Sequence, residues 1–455
     1  IESGRLPAGA RLPATRELAG QLGLNRTTVS AAYELLDSEG WISGEVGRGS
    51  FVRARAGSAA TRDWSDLLRP SSAPRQPAFP GVPLSFAQSR PSEALFPLEA
   101  FRQSSEAVLR SAELPAILQL GSPAGYEPLR RYLLESARSE GNAMPDDDLL
   151  ITNGCQQAMD LLRQVLINPG DSVALEDPVY PGVRNLFAQS GAVVTGIPIA
   201  SQMLDIASLD RARPRVAVVT PSFQNPTGST LTLSAREALL RIPGTIFIEN
   251  DIYSSLRYTG RPEPTMKQLD RSGGVVLLRS FSKIAFPGLR VGWVIAPRSL
   301  IQRLTEAKQL TDLHTDQFSQ AVLLDFDRSG NLAAHRNKML AAGARRLQTA
   351  VEALSRYLPR GSQFTRPEGG MNLWVELPEP LDTAELLPRA QAEGVAYLPG
   401  KYFSVTRPHT GALRLSFAGL AEEQIDRGIR ILGTLFTQAL ETERSRDREP
   451  VPAMV

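Results

Sequence analysis

The sequence is poor in the residues that many folds and catalytic sites require. Its 455 residues include one cysteine and three histidines, and only five of its 50 basic residues are lysines. A single cysteine forms no internal disulfide and cannot build a cysteine-rich zinc fold, so we expect a reducing compartment, the cytoplasm, and no metal site. A mechanism that requires a lysine therefore has few candidates.

The chain also lacks a strong net charge and a long apolar run. Its 50 basic and 48 acidic residues give a formal net charge of +2, so any contact with nucleic acid must come from a local arrangement of side chains. No 18 consecutive residues are apolar, which excludes an ordinary membrane-spanning helix. The length favours two or three domains over one, and the 42% hydrophobic content can form a large core.

Residues 1–55 predict a winged helix-turn-helix. A helical pattern over 14–21 is followed by Gly23 and by a second helix that Asn25 would cap. A glycine-punctuated hairpin follows, with its turn at 47–49. Such a unit is typical of DNA-binding proteins.

The remaining chain predicts an α/β unit after a linker. Residues 56–83 are rich in Ala, Ser, Pro and Arg, which indicates the linker. In 84–440, short apolar runs alternate with longer helical stretches, which is typical of a mostly parallel sheet with helices on both faces. We place a large subdomain at about 120–296, a smaller α+β subdomain at about 297–440 and a tail at 441–455. The predicted strands are 149–152, 172–175, 216–220, 245–249, 275–278 and 291–295 in the large subdomain, and 371–377 and 413–417 in the small one.

Polar residues follow several of these strands, at the sheet edge where ligands bind α/β proteins. They supply a glycine-opened helix start at 154–156, an amide at Asn225, a carboxylate at Asp251 and a lysine at Lys283. Each motif is weak alone, but the four together describe one site.

These groups match the needs of pyridoxal phosphate. A lysine must form the Schiff base with the aldehyde, and a carboxylate must keep the pyridine nitrogen protonated so that the ring accepts electrons. We assign these roles to Lys283 and Asp251. The other predicted cofactor contacts are Gly154, Cys155, Gln156, Ser280 and Arg290 at the phosphate, Asn225 and Tyr253 at the ring oxygen, and Tyr180 stacked on the ring.

Arg414 lies inside the predicted strand 413–417, where a buried arginine needs a carboxylate partner. The α-carboxylate of a substrate would satisfy it with two hydrogen bonds. An edge-strand salt bridge is the alternative.

Alternatives exist for the other candidates as well. Asp251 has Glu249 and Asn250 as rivals, and Tyr180 could be a core aromatic residue. Cys155 fits a spacer whose backbone amide binds phosphate better than it fits a nucleophile, because no histidine lies near it in sequence. The other four lysines are expected to be solvated, Lys308 and Lys338 in charged helical stretches and Lys267 and Lys401 in loops.

Four motifs in 84–440 resemble the fold-type I aminotransferases of class I/II. They are Asn225-Pro226-Thr227-Gly228, Ser280-Phe281-Ser282-Lys283, Gly288-Leu289-Arg290-Val291-Gly292 and Leu413-Arg414-Leu415-Ser416-Phe417. The segments 9–19, 25–29 and 47–52 resemble a GntR-type winged helix. The two halves in this order resemble the MocR/GabR-type regulators over nearly the whole chain.

The resemblance implies a homodimer and the same roles for Lys283, Asp251 and Arg414. It also implies a first helix ahead of Ile1, which the chain as given does not contain. Two positions depart from the pattern. Leu120 stands where many relatives carry a tyrosine that reaches the phosphate across a dimer interface, and Ser89 stands where relatives carry a glycine.

In the predicted winged helix at residues 1–55, called the head below, five residues lie where a recognition helix and a wing would contact DNA. Arg26 is the best candidate for reading guanine. The five residues are Arg16, Arg26, Thr27, Ser30 and Arg48.

Three functions follow from these assignments. The first is a regulator that binds double-stranded DNA and senses an amino acid or amine through external aldimine formation. The second is an aminotransferase in which DNA binding is secondary. The third, a DNA-binding scaffold without cofactor, would require the loss of Lys283 or Asp251, and both are present.

Overall fold

The computed structural model describes residues 1, 5–45, 48–53, 64, 68, 77–200 and 203–446. The chain divides into two compact units, 1–72 and 73–455. Most of the predicted linker, Gly47 of the predicted hairpin turn and the last nine residues of the predicted tail lie outside the described residues. None of the described helices is long and apolar enough to cross a bilayer.

The first unit has the predicted two helices and hairpin. Asn25 caps the second helix, because its side-chain oxygen accepts a hydrogen bond from the amide of Thr27 at 3.2 Å. Gly23 ends the first helix with a φ of +66°, a left-handed conformation that favours glycine. The elements are α1 (Thr15–Leu22), α2 (Arg26–Ser38), β1 (Ile42–Glu45) and β2 (Gly49–Val52).

A small core and one unpredicted pairing hold this unit together. The hydroxyl of Tyr33 on α2 donates to the carbonyl of Pro13 at 2.8 Å. The segment 9–12 runs along β2, where the amide of Leu12 donates to the carbonyl of Ser50 at 2.9 Å. The segment 9–12 therefore pairs with the hairpin as a third extended segment beside β1 and β2. The buried apolar residues of the unit are Ala19, Val29, Ile42 and Val52.

The second unit alternates strands and helices, as predicted. Its strands are β3 (Leu84–Ser85), β4 (Asp147–Asn153), β5 (Ser172–Asp177), β6 (Val193–Ala200), β7 (Met203–Leu204), β8 (Val216–Val219), β9 (Ile246–Asn250), β10 (Val275–Ser280), β11 (Val291–Pro297), β12 (Gln363–Phe364), β13 (Asn372–Glu376), β14 (Val395–Ala396), β15 (Leu398–Pro399) and β16 (Ala412–Ser416). Its helices are α3 (Leu98–Leu109), α4 (Leu114–Ile117), α5 (Glu127–Ser139), α6 (Gly154–Leu166), α7 (Pro181–Ala188), α8 (Ile206–Ala212), α9 (Leu233–Leu240), α10 (Met266–Leu269), α11 (Arg298–Asp312), α12 (Gln317–Arg328), α13 (Asn331–Tyr357), α14 (Thr383–Ala392) and α15 (Glu422–Arg446).

The large sheet confirms the predicted α/β class. Its eight strands lie in the order β4-β11-β10-β9-β8-β5-β6-β7. The pairs from β10 through β9, β8 and β5 to β6 are parallel, whereas β11 is antiparallel to both neighbours. The carboxyl ends of β4, β5, β8, β9 and β10 therefore lie at one edge. We did not predict β6, because Gly196 and Pro198 interrupt its apolar pattern.

A second, antiparallel sheet forms the smaller layer, in the order β12-β13-β16-β15. It packs with α13, α14 and α15 around a core that includes Phe86 and Phe417. The short strand β3, at the start of the unit, pairs with β14 beside this core.

Two of the predicted boundaries fall at helices that pack in the core, one at the start of α11 and one inside α15. The boundary at about 297 assigns α11 and α12 to the small subdomain, but α11 contacts α6, β4 and β11, and α12 contacts α3 and α5. The tail at 441–455 begins inside α15, which continues to Arg446 because Ala439 and Leu440 still pack in the core.

Two of the four lysines expected to be solvated are buried instead. The prediction of a loop at Lys267 is wrong, because Thr265 and Gln268 form a capping box that starts α10. The Nζ of Lys267 lies 3.0 Å from Oδ2 of the buried Asp147. Lys308 lies on α11 as expected, but its side chain is buried and pairs with Asp312.

Candidate functional site

A cavity of about 360 Å³ lies at the carboxyl edge of the large sheet. Most of the predicted cofactor and substrate residues line it. They are Cys155, Gln156, Tyr180, Asn225, Tyr253, Ser280, Lys283, Arg290 and Arg414. The other two adjoin it, because Asp251 lies between the lining residues Asn250 and Ile252, and Gly154 precedes Cys155.

Lys283 enters the cavity from a single 3-10 turn, Phe281–Lys283, directly after β10. The hydroxyl of Ser280 caps this turn by accepting from the amide of Ser282 at 3.0 Å. The ammonium of Lys283 donates to the carbonyl of Ser89 at 2.6 Å and lies 5.7 Å from the ring centre of Tyr253. Sequence reasoning missed the Ser89 carbonyl, since nothing local in the sequence brings residue 89 to residue 283.

Asp251 is buried at 6% exposure and forms an ion pair that sequence reasoning missed. Its Oδ2 accepts from Nε of Arg279 at 2.9 Å, and Arg279 also donates to Glu140 at 2.8 Å. Burial acts to lower the pKa of Arg279, but the charges of Asp251 and Glu140 outweigh it and raise that pKa. The pairing holds the Asp251 carboxyl group in place beside the cavity.

Arg414 is buried at 2% exposure in β16, which lies between β13 and β15 and is not an edge strand. It donates to Oδ1 of Asn225 at 3.1 Å and to the carbonyl of Ala87. Burial lowers its pKa to about 10, so the guanidinium remains charged at neutral pH. Its Nε has no hydrogen-bond partner in the described part of the chain, and no carboxylate is among the described residues that line the cavity.

The start of α6 offers donors for an anion. No side chain caps this helix. Gly154 has a φ of +71°, and a Cβ there would lie 2.4 Å from the guanidinium of Arg290. A Cβ at Gly292 would lie 2.9 Å from the backbone of Gly154. These close approaches bring the first-turn amides, Arg290 and the Ser280 hydroxyl to one end of the cavity, as a phosphate requires.

The donor set fits pyridoxal phosphate. The lining residues include three cations, Lys283, Arg290 and Arg414, which suit a phosphate and a carboxylate. Asn225 donates to the hydroxyl of Tyr253 at 3.4 Å, so both predicted ring-oxygen donors are adjacent. Tyr180 precedes α7 and is 42% exposed, so it is not a core aromatic residue.

Two further buried acidic side chains hold the walls of the cavity. Glu176 accepts from Gln224, the residue before Asn225, at 3.1 Å. Asp177, at the end of β5, accepts hydrogen bonds from the loop 405–409. These bonds fix the segments that carry Asn225 and Tyr180. The only signal in the sequence is the position of Glu176 and Asp177 at a strand end.

The predicted DNA contacts all lie in the first unit. Arg16 on α1 and Arg26 and Thr27 at the start of α2 are exposed, and Ser30 lies one turn further along α2, half-buried. Arg48 is exposed next to β2.

Comparisons with known proteins match both units. A model of the family "Aminotransferase class I and II" matches residues 93–432, and a model of "Bacterial regulatory proteins, gntR family" matches residues 1–52. The uncharacterized HTH-type transcriptional regulator YdcR of Escherichia coli is 32% identical over 97% of each chain. The probable rhizopine catabolism regulatory protein MocR of Rhizobium meliloti is 29% identical over 96% of this chain and 91% of its own.

A solved structure supports the same architecture for the second unit. The α-aminoadipate aminotransferase LysN of Thermus thermophilus, complexed with N-(5'-phosphopyridoxyl)-L-leucine, superimposes with a TM-score of 0.77 at 33% identity. The match covers 84% of this chain and all of that one.

The surroundings of Cys155 predict an unreactive thiol. Its Sγ donates to the carbonyl of Arg279 at 3.5 Å, and burial raises its pKa to about 12. At pH 8 the thiolate fraction should be on the order of a thousandfold lower than for a free cysteine. Iodoacetamide should therefore label the folded protein slowly, as measured by mass spectrometry. Urea-unfolded protein is the control, and equal rates in both states would contradict this assignment.

Proposed function

We propose that this chain, which belongs to the class I and II aminotransferase family and carries a GntR-family unit at residues 1–52, is a MocR-type transcriptional regulator. In this proposal it binds pyridoxal phosphate and senses an amino acid or amine. The observation that carries the proposal is a pair of cations in one cavity. Lys283 offers an amine, and Arg414 offers a buried guanidinium with an unpaired N–H.

The residues at the cavity would hold the cofactor by groups of matching chemistry. When bound, pyridoxal phosphate supplies an aldehyde that condenses with amines and a ring that accepts electrons. Lys283 provides the amine, and Asp251, paired with Arg279, provides the carboxylate for the ring nitrogen. The other proposed roles are phosphate binding by Gly154, Cys155, Gln156, Ser280 and Arg290, ring-oxygen binding by Asn225 and Tyr253, and stacking by Tyr180. The ligand in the LysN structure, a phosphopyridoxyl group joined to leucine, supports this cofactor.

The amino compound would be sensed through a short segment of main chain, 87–89. Lys283 donates to the carbonyl of Ser89, and Arg414 donates to that of Ala87. The cofactor at Lys283 and the carboxylate of an amino acid at Arg414 would each compete with one of these bonds, so they would bind the possible arrangements of 87–89 with different affinities. This segment directly follows β3, the first strand after the linker, which supports a role in transmitting the signal.

A full aminotransferase is the second candidate. The observation that favours it is that an amine able to move a proton, Lys283, shares the cavity with Arg414, Asn225 and Tyr253. Leu120 argues for the regulator, since it cannot donate the hydrogen bond that a tyrosine would supply to the phosphate.

We also propose a homodimer, on the basis of exposed apolar side chains. Leu118 and Leu120 follow α4, and Leu310 and Leu313 lie near the end of α11; all four are more than half exposed. Gln317, which starts α12 four residues after Leu313, donates to the carbonyls of Ala116, Ile117 and Gln119, so the chain that follows α11 lies against the chain around α4. Clustered exposed leucines mark protein interfaces. Because the proposed partner of the head is double-stranded DNA, the protein would act in the cytoplasm.

The first test titrates the cofactor-loaded protein with a panel of amines and amino acids. The visible absorbance of the bound cofactor should shift with the effector while ketoacid accumulates slowly or not at all. Lys283→Ala should abolish the absorbance band, because no other lysine is among the described residues that line the cavity.

Two results would change the assignment. A band that survives Lys283→Ala, with borohydride labelling another lysine, would show that the site is misplaced. Rapid ketoacid production, with no DNA protection under any condition, would favour the enzyme.

The exposed leucines predict the oligomeric state. Light scattering should give twice the mass of the 49.5 kDa chain, and Leu118→Glu with Leu310→Glu should shift the equilibrium toward monomer by burying like charges. Leu98→Glu with Leu233→Glu, at two exposed leucines on α3 and α9, is a control of equal charge. A monomer that binds cofactor at full occupancy would contradict the dimer.

The head should read a pair of half-sites through α2. Arg26→Ala should cost about 1 to 3 kcal/mol of specific affinity, measured on DNA upstream of the protein's own gene, with and without cofactor and effector. Arg26→Lys is the control, since it keeps the charge but loses the fork of donors that matches guanine. Equal losses on operator and random DNA would show that Arg26 contacts phosphate and not a base.

A further inference from the structure

Asn153 occupies the cap position of α6, yet its side chain does not cap the helix. An asparagine there usually accepts a hydrogen bond from an amide in the first turn. Asn25 does so on α2, where it accepts from the amide of Thr27. The side-chain amide of Asn153 points elsewhere and donates to Oδ2 of Asp312 at 2.7 Å.

Asp312, the last residue of α11, gathers three donors. Its Oδ2 also accepts from the side chain of Gln157 at 2.7 Å, and its Oδ1 accepts from Lys308 at 2.6 Å. Lys308 lies one turn earlier with its side chain at 0% exposure. The oxygen of the Gln157 side chain accepts from the backbone amide of Asn153 at 2.8 Å. The carboxylate therefore holds both polar side chains that flank the start of α6.

This arrangement leaves the first-turn amides of α6 for a ligand. Cys155 and Gln156 line the cavity, and their amides belong to the turn that an asparagine cap would occupy. A bare carboxylate near a phosphate would repel it, but the ammonium of Lys308 balances the charge of Asp312. Arg290 also contacts this helix start, since it donates to the carbonyl of Asn153 at 3.4 Å.

We propose that Asp312, balanced by Lys308, is a positioning residue that keeps Asn153 off the first turn of α6 and so sets the affinity for the cofactor phosphate. The inference rests on the proposed function, because the phosphate is that of pyridoxal phosphate. Asp312 acts through Asn153 and Gln157 and does not itself touch the cofactor.

The test compares pyridoxal phosphate with pyridoxal, which has the aldehyde but no phosphate. Asp312→Ala should raise the Kd of pyridoxal phosphate about 3- to 30-fold, the range of one helix cap, and leave the Kd of pyridoxal unchanged. Both are measured from the absorbance of the aldehyde bound at Lys283. Adding Asn153→Ala to Asp312→Ala should restore most of the lost affinity, because the side chain that would occupy the turn is gone.

Two controls separate positioning from stability. Asp312→Ala leaves Lys308 buried without a charged partner, so Lys308→Met is combined with it to keep a folded, charge-balanced chain. Asp147→Asn disrupts the other buried carboxylate–lysine pair, with Lys267, at the opposite end of β4. It should lower the melting temperature and leave the ratio of the two Kd values unchanged.

The possible failures are distinguishable. If both aldehydes weaken equally in the Asp312 variants, or if Asn153→Ala restores nothing, Asp312 has no specific role at the phosphate. If neither aldehyde binds at Lys283 in the unaltered protein, the proposed function fails and this inference fails with it.

Discussion

The burial of Arg414 without a charged partner is the constraint around which the second unit is arranged. Moving a guanidinium out of water is costly unless its N–H groups find acceptors. Here the side-chain oxygen of Asn225 and the carbonyl of Ala87 supply two acceptors, and the N–H at Nε has no partner among the described residues. The fold accepts this cost at the point where a ligand carboxylate would remove it, which is typical of a binding site that is formed before its ligand arrives.

The other charged groups of the site follow a consistent division. Cations face the cavity, whereas the carboxylates stand behind its walls and act on neighbouring protein groups. Asp251 pairs with Arg279, Asp177 accepts from the loop 405–409, and Asp312 accepts from the residues that flank the start of α6. This division keeps the cavity attractive to a dianionic phosphate and a carboxylate. It also makes the positions of the cavity walls depend on Asp177 and Asp312, which the proposed cofactor and effector do not touch.

The main chain of 87–89 connects two cations of the cavity to strand β3. Both Lys283 and Arg414 donate to it, and it continues from β3, which is anchored by pairing with β14. A regulator needs a ligand that binds one of two conformational states more tightly, whereas an enzyme needs a product that is released quickly. Hydrogen bonds that a ligand must displace meet the requirement of a regulator directly. Leu120 weakens the case for an enzyme, because it cannot donate a hydrogen bond to the phosphate.

The sequence by itself predicted most strands of the large sheet and nine of the residues that line the cavity, whereas the tertiary structure decided the pairings. Apolar runs set the strands, and parallel strands bring their carboxyl ends together, so Lys283, Asn225 and Asp251 could be placed at one edge from local patterns. In the same way, Asn25 and Gly23 marked the helix ends in the head. Local patterns report neighbours within a few residues of each other. They cannot report that Arg279 meets Asp251, that Arg414 meets residue 87, or that Lys267 is buried beside Asp147, because those partners lie 28 to 327 residues apart and meet only when the layers pack.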